Sequence, residues 1–445
     1  MTDSAMRPVR TTELDTTTPA VVLKLDPNVF HHGGLGVVRS LGRLGVPVYT
    51  VHEDPLAPAA HSRYLHGRWL WSPDPEETDR LLEGLQRLAE HIGRPAVLLP
   101  TDDAGAIFVA EQAARLRRWF LFAAPDPELP RRLAGKSSMY ELCRTVGFPH
   151  PRGVRAETWN QARDFAARTG FPLVAKLATP WRSAGQGVRS TTIVETEQGL
   201  CELYRACGRA GLVLQEFITG DGDWFFHGYC GTDGACLSAH TGVKERSYPA
   251  RAGLTSLGRS VVNTELRDRV TELLGRLSYR GTVDIDLRWD QRDRSYKLLD
   301  FNPRLGAQFR LFRDEAGIDV VRAAYLDLTG QRVAAGGAVA ERRFLVENYD
   351  PLAAWRYWRR GEIGLRSWAA SLRGVDEVAW LASDDLLPFG LMCLRMSWRA
   401  LSGPRRGRST PQQPRYRAGR AAGNRRHGHN ARHDVSLQPV GEDQP

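Results

Sequence analysis

The stretch from Thr282 to Arg304 constrains the fold more tightly than any other part of the chain. In Thr282-Val-Asp-Ile-Asp-Leu287 the apolar residues Val283, Ile285 and Leu287 alternate with Asp284 and Asp286. A period of two means a strand with one buried face and one polar face. In Lys297-Leu-Leu-Asp-Phe-Asn-Pro-Arg304, Asp300 and Asn302 share a face in the same way. Paired as an antiparallel hairpin, the two strands bring Asp286, Asp300 and the amide oxygen of Asn302 together. Hard oxygen donors of this kind suit Mg²⁺ bridging phosphates. A hairpin with a solvated polar face is the plainer alternative.

Two upstream segments carry related chemistry. Phe171-Pro-Leu-Val-Ala-Lys176 is a buried strand ending in a lysine, followed by Trp181-Arg-Ser-Ala-Gly-Gln-Gly-Val188 with Gly185 and Gly187. An ammonium and several backbone N–H groups placed there can surround phosphate oxygens, although a hairpin turn beside a surface lysine fits the same residues. No Gly-Lys-Ser/Thr follows the glycines, so this is not a P-loop. Val213-Leu-Gln-Glu-Phe-Ile-Thr-Gly-Asp-Gly-Asp223 begins apolar and breaks at Gly220. Its polar residues emerge where they can bond a base edge, or they form a solvated turn.

Lysine sharpens the reading. Only Lys24, Lys136, Lys176, Lys244 and Lys297 occur, against 56 arginines. In a chain so biased toward arginine, a lysine marks a place where a compact, flexible ammonium is wanted. The net charge of +10 raises nucleic acid as a partner. However, residues 403–445 hold nine arginines against Asp434, Glu442 and Asp443 in a Pro-, Gly- and Gln-rich segment with Tyr416 as its one aromatic residue. That composition is a solvated extension rather than a stacking platform, and it weighs against nucleic acid. The six cysteines show no disulfide framework or zinc spacing. Residues 1–20 lack the apolar core of a secretion signal. Residues 386–401, the nearest approach to a membrane span, are broken by Pro388, Arg395 and Arg399. The expectation is a cytoplasmic protein with no membrane partner.

Strand and helix signals alternate over the first part of the chain: strands at 21–25, 46–51 and 96–100, and helices from His31-His-Gly-Gly-Leu-Gly36 to 44, at 75–92 and at 103–118. Such alternation predicts a doubly wound parallel sheet. From residue 172 short strands and helices intermix, predicting α+β subdomains. The expected division is a disordered N-terminus (1–19), an α/β domain (20–130), two subdomains (131–211 and 212–335), a helical C-terminal extension (336–402) and a disordered basic tail (403–445). An amphipathic helical segment covers 355–373.

Taken together and in this order, these motifs resemble the ATP-grasp superfamily over residues 133–330, with the preceding α/β unit similar to the pre-ATP-grasp domain that accompanies it. Within the superfamily the chain looks most like the carboxylate-amine ligases related to D-aspartate ligase and, more distantly, D-alanine-D-alanine ligase. The resemblance implies an ADP-forming ligase that uses ATP and Mg²⁺, or Mn²⁺ in its place, to join a small-molecule carboxylate to an amine. Another ATP-grasp reaction, carboxylation or ligation to a thiol or hydroxyl, stays open. Carried over by position, it makes Lys136 and Lys176 phosphate ligands and the Ser183–Gly185–Gly187 turn a lid. It places Gln215, Glu216 and the backbone of Ile218 at an adenine hinge and Asp223 near the ribose. Asp286, Asp300 and Asn302 become magnesium ligands, with Asp300 standing where the family usually carries glutamate. Lys244 becomes a further phosphate contact and Arg304 steadies the acyl phosphate and the intermediate that follows it. His31 to Gly36 offers a helix N-terminus for a substrate carboxylate, or a simple turn, and Gln308 and Arg310 are candidates for an acceptor pocket.

Overall fold

Strand β1 (Ala20–Leu23) is buried at every position, as a strand covered on both faces must be. In the computed structural model, which describes residues 14–71, 74–178, 191–207, 212–220, 222–251, 253–334, 336–402 and 415–418, β1 lies at the centre of a parallel sheet. Helix α1 (His32–Gly42) leads to β2 (Val48–His52) and β3 (Leu65–Leu70). Helix α2 (Thr78–Ile92) leads to β4 (Ala96–Pro100), and α3 (Asp103–Glu111) and α4 (Ala113–Leu116) lead to β5 (Phe120–Leu121). The order is β3-β2-β1-β4-β5, all parallel. Alternation within β1 sorts its two faces: Val21 and Leu23 pack on Leu81, Leu85 and Leu88 of α2. Ala20 and Val22 pack on Val37, Val38 and Leu41 of α1 and on Leu305 and Phe309. That second layer joins the sheet to the rest of the molecule.

Helices α5 (Leu129–Ala134) and α6 (Lys136–Val146) follow, then a four-stranded antiparallel sheet. Its strands are β6 (Gly153–Ala156), β7 (Leu173–Leu177), β8 (Thr191–Val194) and β9 (Leu212–Glu216), in the order β6-β9-β7-β8, backed by α7 (Trp159–Thr169) and α8 (Glu197–Cys207). Leu173, Ala175 and Leu214 face these helices, which turns Val174, Lys176 and Gln215 the other way. Because β9 pairs within this sheet, the sheet continues past the division expected at residue 211.

The third sheet contains β10 (Asp223–Cys230), β11 (Cys236–Tyr248), β12 (Leu254–Ser260), β13 (Gly281–Asp290) and β14 (Ser295–Asn302). Val283, Ile285 and Leu287 pack on Leu266, Val270 and Leu273 of α9 (Thr264–Arg276). Helix α10 (Val320–Leu328) then leads to β15 (Arg343–Leu345), α11 (Asp350–Arg359), α12 (Leu365–Ser371), β16 (Glu377–Val378) and α13 (Leu387–Ser402). Here the sequence reading needs correcting. The C-terminal extension is not purely helical, because β15 pairs with the free edge of β12, and β16 with β15, completing the order β14-β13-β10-β11-β12-β15-β16. The helical segment at 355–373 divides into α11 and α12, and Gly361, at φ +74°, supplies the left-handed residue that ends the first. In the tail, β17 (Arg415–Ala418) pairs antiparallel with β3, taking up the hydrogen-bonding edge of that strand.

Candidate active site

Cross-strand register turns the alternation read in the sequence into rows of side chains on one face of the seven-stranded sheet. Asn302, Asp284, His227 and His240 are successive partners across β14, β13, β10 and β11. Two residues along lie Asp300, Asp286, Phe225 and Gly242, and two further along β13, β10 and β11 lie Arg288, Asp223 and Lys244. The β13–β14 ladder shifts by one residue between these rows, so Leu299 bulges out of register.

The opposite wall is the free face of the four-stranded sheet. Lys176 reaches across and donates to the carbonyl of the bulged Leu299. Lys136, the first residue of α6, pairs with Asp300. Lys244 donates to Asp286 at 2.7 Å. Val174, Lys176, Thr191, Gln215, Asp223, Lys244, Asp286, Leu299 and Asp300 all line one cleft of about 550 Å³, part of it open to solvent. Tyr140 donates its hydroxyl hydrogen to Gln215 Oε1 at 2.6 Å, which leaves the Gln215 amide NH₂ to donate into the cleft.

Electrostatics separate the three ammonium groups. Burial pulls the Lys176 pKa down to about 8, and Lys136 adds to the effect while Asp300 opposes it. Lys244 is buried as well, but Asp286 outweighs that penalty and raises its pKa. Burial raises the Asp286 carboxyl despite Lys244. Asp300, although partly desolvated, is held below the usual range by Lys136 and Lys176.

Arg304 stands apart from the cleft lining. It donates to Asp284 Oδ2 at 2.8 Å and lies 3.5 Å from Asp103 Oδ1, at the start of α3 in the parallel-sheet unit. Burial lowers its pKa, and Asp284 and Asp103 more than restore it. His227 Nε2 lies 3.3 Å from the other Asp284 oxygen, and Asp103 Oδ1 and His31 Nδ1 have no hydrogen-bond partner among the described residues. Asp103, Asp284 and His227 were not among the expected site residues. The period of two already put Asp284 on the polar face, whereas the placement of Asp103 and His227 depends on tertiary packing.

Other expectations fare differently. Ser183, Gly185 and Gly187 lie outside the described residues. The Glu216 side chain points away from the Gln215 face, accepting from Arg152 Nε at 3.0 Å and Arg292 at 3.2 Å, so only its backbone is available to a hinge. Arg288 organises that region: it bonds Asp223 at 2.5 Å, the Ile218 carbonyl at 3.2 Å and the Arg251 carbonyl at 3.1 Å. Arg310 is turned into the protein interior. It is 2 % exposed and braces Glu377 and the carbonyls of Val378 and Ala379. The glycines of α1 have a packing role, since a Cβ on Gly36 would lie 2.9 Å from the Phe309 ring and one on Gly33 3.1 Å from the Ala307 backbone.

Asp286 and Asp300 face each other across the hairpin, each side chain a quarter exposed. Among the described residues no three His, Cys, Asp or Glu side chains form a closed metal cage. Two carboxylates and an amide instead fit Mg²⁺, which binds few protein ligands and completes its octahedron with water and phosphate oxygens.

No protein-family model matches the chain. It is 24% identical over 306 residues to the D-aspartate ligase of Enterococcus faecium, covering 64% of this chain and 71% of that one. Its fold is similar to N5-carboxyaminoimidazole synthetase from Staphylococcus aureus complexed with ADP. That likeness has a TM-score of 0.58 at 10% identity, over 79% of this chain and 88% of the other. The biotin carboxylase domain of the Hydrogenobacter thermophilus 2-oxoglutarate carboxylase, in complex with MgADP, gives a TM-score of 0.52 at 15% identity, over 73% and 72% of the two chains. The sequence motifs, the three-sheet architecture and the cleft between the second and third sheets all agree with these likenesses, and the chain has an ATP-grasp fold.

Proposed function

We propose that this protein is an ATP- and Mg²⁺-dependent ligase that activates the carboxylate of a small molecule as an acyl phosphate and passes the acyl group to an amine, releasing ADP and phosphate. The observation that carries this reading is the convergence of Lys176, Gln215, Asp223, Lys244, Asp286 and Asp300 on one cleft. In this reading the parallel-sheet unit is the pre-ATP-grasp domain, and the four- and seven-stranded sheets are the two halves that hold the nucleotide between them.

Gln215 and the backbone around Ile218 receive the adenine, and Asp223, oriented by Arg288, receives the ribose. Lys136, Lys176 and Lys244 hold the phosphate chain in line with the incoming carboxylate, and positioning with charge neutralisation supplies most of the catalysis. Asp286, Asp300 and Asn302 would hold Mg²⁺, which when bound offsets charge on the transferring phosphoryl group. A carboxylate oxygen bonds to the γ-phosphorus and ADP leaves. The amine nitrogen then bonds to the acyl carbon, phosphate leaves with the electron pair of the broken C–O bond, and the amine gives up a proton. Arg304, fixed by Asp284 and Asp103, offsets the negative charge that gathers on the acyl oxygen in that second step.

The test is a panel of amino acids and carboxylic acids, each with an amine acceptor, scored for nucleotide products. The likeness to D-aspartate ligase supports placing amino acids first. The expected result is ADP and phosphate in equal amounts, with hydroxylamine trapping a hydroxamate. AMP and pyrophosphate as products would overturn the reading, and turnover with bicarbonate as the one productive carboxylate would replace it with carboxylation.

A further inference from the structure

Residues 350–362 lie beyond the stretch whose motifs resemble ATP-grasp enzymes, yet they reach back to the mouth of the cleft. Helix α11 is fixed at its start by Asp350, which is 1% exposed. That carboxylate accepts from Arg246 Nε of β11 at 2.8 Å, from Ser256 Oγ of β12 at 3.1 Å and from Trp368 Nε1 of α12 at 2.9 Å. A buried carboxylate with all these partners ties the helix to both strands. Further on, the Tyr248 ring at the end of β11 stacks on Tyr349 at 5.8 Å and carries the Arg356 guanidinium 4.7 Å from its centre. The helix ends in a Schellman motif. The Glu362 amide donates to the Tyr357 carbonyl at 3.0 Å and the Gly361 amide to the Trp358 carbonyl at 2.9 Å, with Gly361 at φ +74°. Closing the helix in this way brings Glu362 back beside Tyr357, and both side chains meet one residue, Arg251.

Arg251 lines the cleft together with Asp223 and Lys244. Its backbone stands at φ +65°, a left-handed conformation that an arginine keeps only where contacts fix it. Three contacts do so. Its amide donates to the Tyr357 hydroxyl at 3.3 Å, its guanidinium pairs with Glu362 at 2.9 Å, and its carbonyl accepts from Arg288 Nη2 at 3.1 Å. The third contact passes the constraint inward. Arg288 has one planar guanidinium, and its other donors are engaged by Asp223 and the Ile218 carbonyl. The Arg251 carbonyl therefore helps to set that plane, and the plane sets the Asp223 carboxylate. Among the described residues neither Tyr357 nor Glu362 lines the cleft, so any effect they have on a bound molecule runs through Arg251.

We propose that Tyr357 and Glu362 are positioning residues for the nucleotide: through Arg251 and Arg288 they aim the Asp223 carboxylate at the ribose hydroxyls. The proposal rests on the reading of the cleft as a nucleotide site with Asp223 at the ribose, and one experiment tests the two separately. Calorimetric titration of the full chain with MgADP, and with its dideoxy analogue that lacks the ribose hydroxyls, measures what those hydroxyls contribute. The wild type is expected to bind MgADP about tenfold more tightly than the analogue. Tyr357→Phe and Glu362→Gln should each lower MgADP affinity about threefold, since a long hydrogen bond and a half-exposed ion pair are each weak. The double variant should bind MgADP within about twofold of the analogue, and its undiminished affinity for the analogue shows that the cleft is intact. Exchanging the pair, Arg251→Glu with Glu362→Arg, should restore the preference, because the pair acts through the Arg251 carbonyl and not through the guanidinium. A wild type indifferent to the ribose hydroxyls would overturn the placement of Asp223 and the positioning role with it. A wild-type preference that survives in the double variant would overturn the positioning role alone. So would an equal loss of affinity for both ligands, or an exchanged pair that binds MgADP no better than Glu362→Arg does.

Discussion

With Lys176 as a phosphate ligand, as proposed, nucleotide binding should be a proton-coupled event. The residue is 5% exposed and its pKa is pulled to about 8 by burial, with Lys136 adding to the effect. The charged groups that face it are Asp300, Asp286, Lys136 and Arg288. A phosphate chain in the cleft requires the ammonium, so the nucleotide complex holds a proton that the free protein gives up above pH 8. At pH 9 about one tenth of the free protein carries that proton, against about nine tenths at pH 7, so ATP affinity should fall roughly tenfold across the interval, near 1.4 kcal/mol. The terminal phosphate itself, with a pKa of about 6, is already ionised throughout. In the ligand-free chain the sign is opposite. The folded pKa lies below the unfolded value of 10.5, so the unfolded state binds more protons between pH 8 and 10.5 and stability rises with pH across that window. Calorimetric titration with MgATP at pH 9, in two buffers of different ionisation enthalpy, should report uptake of nearly one proton, and Lys176→Met should abolish it. A wild-type enthalpy indifferent to the buffer, with affinity flat from pH 7 to 9, would refute the assignment of Lys176 to the phosphates.

Further expectations concern the cleft and the C-terminal segment. Arg304→Ala should keep ATP affinity within about twofold and lower kcat by about a hundredfold or more, because the contact it deletes is strongest in the transition state; nucleotide binding and single-turnover rates check this together. Asp300→Asn should suppress phosphoryl transfer and weaken binding of MgATP more than of metal-free ATP, as titrations with and without Mg²⁺ would reveal. Asp385, just before α13, accepts from Arg39 Nε at 3.0 Å, Ser62 Oγ at 2.7 Å and the Arg63 amide at 2.9 Å. Asp385→Ala leaves Arg39 buried and unpaired, so it should cost about 3–5 kcal/mol in denaturant unfolding, while truncation after Ser402 should change stability little.

What the sequence disclosed depended on the range of the interaction. The polar face of β13 and β14 was legible because a strand's period of two is local, and the register then confirmed that Asp286 and Asp300 are direct partners. The alternation also exposed Asp284, but its role depends on Arg304 and on His227, contributed by a strand more than fifty residues upstream. No local pattern reports that pairing. Glu216 illustrates the converse: it is one residue from Gln215, so the strand turns it to the other side, where Arg152 and Arg292 hold it. Residues 336–402 were hardest to read, because β15 and β16 are three and two residues long. They exist by pairing with an edge that only the folded sheet provides.

The ion pairs of the ligand-free cleft bear on the order in which its ligands arrive. Lys136 sits on Asp300 and Lys244 on Asp286, so each proposed metal carboxylate is already neutralised by a proposed phosphate ligand. A bare divalent cation entering here meets two ammonium groups, and a bare triphosphate meets two carboxylates; each must part an ion pair and leave one half buried without its partner. The MgATP complex offers both charges at once. Asp286 and Asp300 would then exchange an ammonium for the metal while Lys136 and Lys244 would exchange a carboxylate for phosphate oxygens, with every charge repartnered. Scarcity of lysine elsewhere in the chain fits this exchange. A lysine's single flexible ammonium can swing between a carboxylate and a phosphate, whereas an arginine anchored at several points, as Arg288 is by Asp223 and the Ile218 and Arg251 carbonyls, stays where it is.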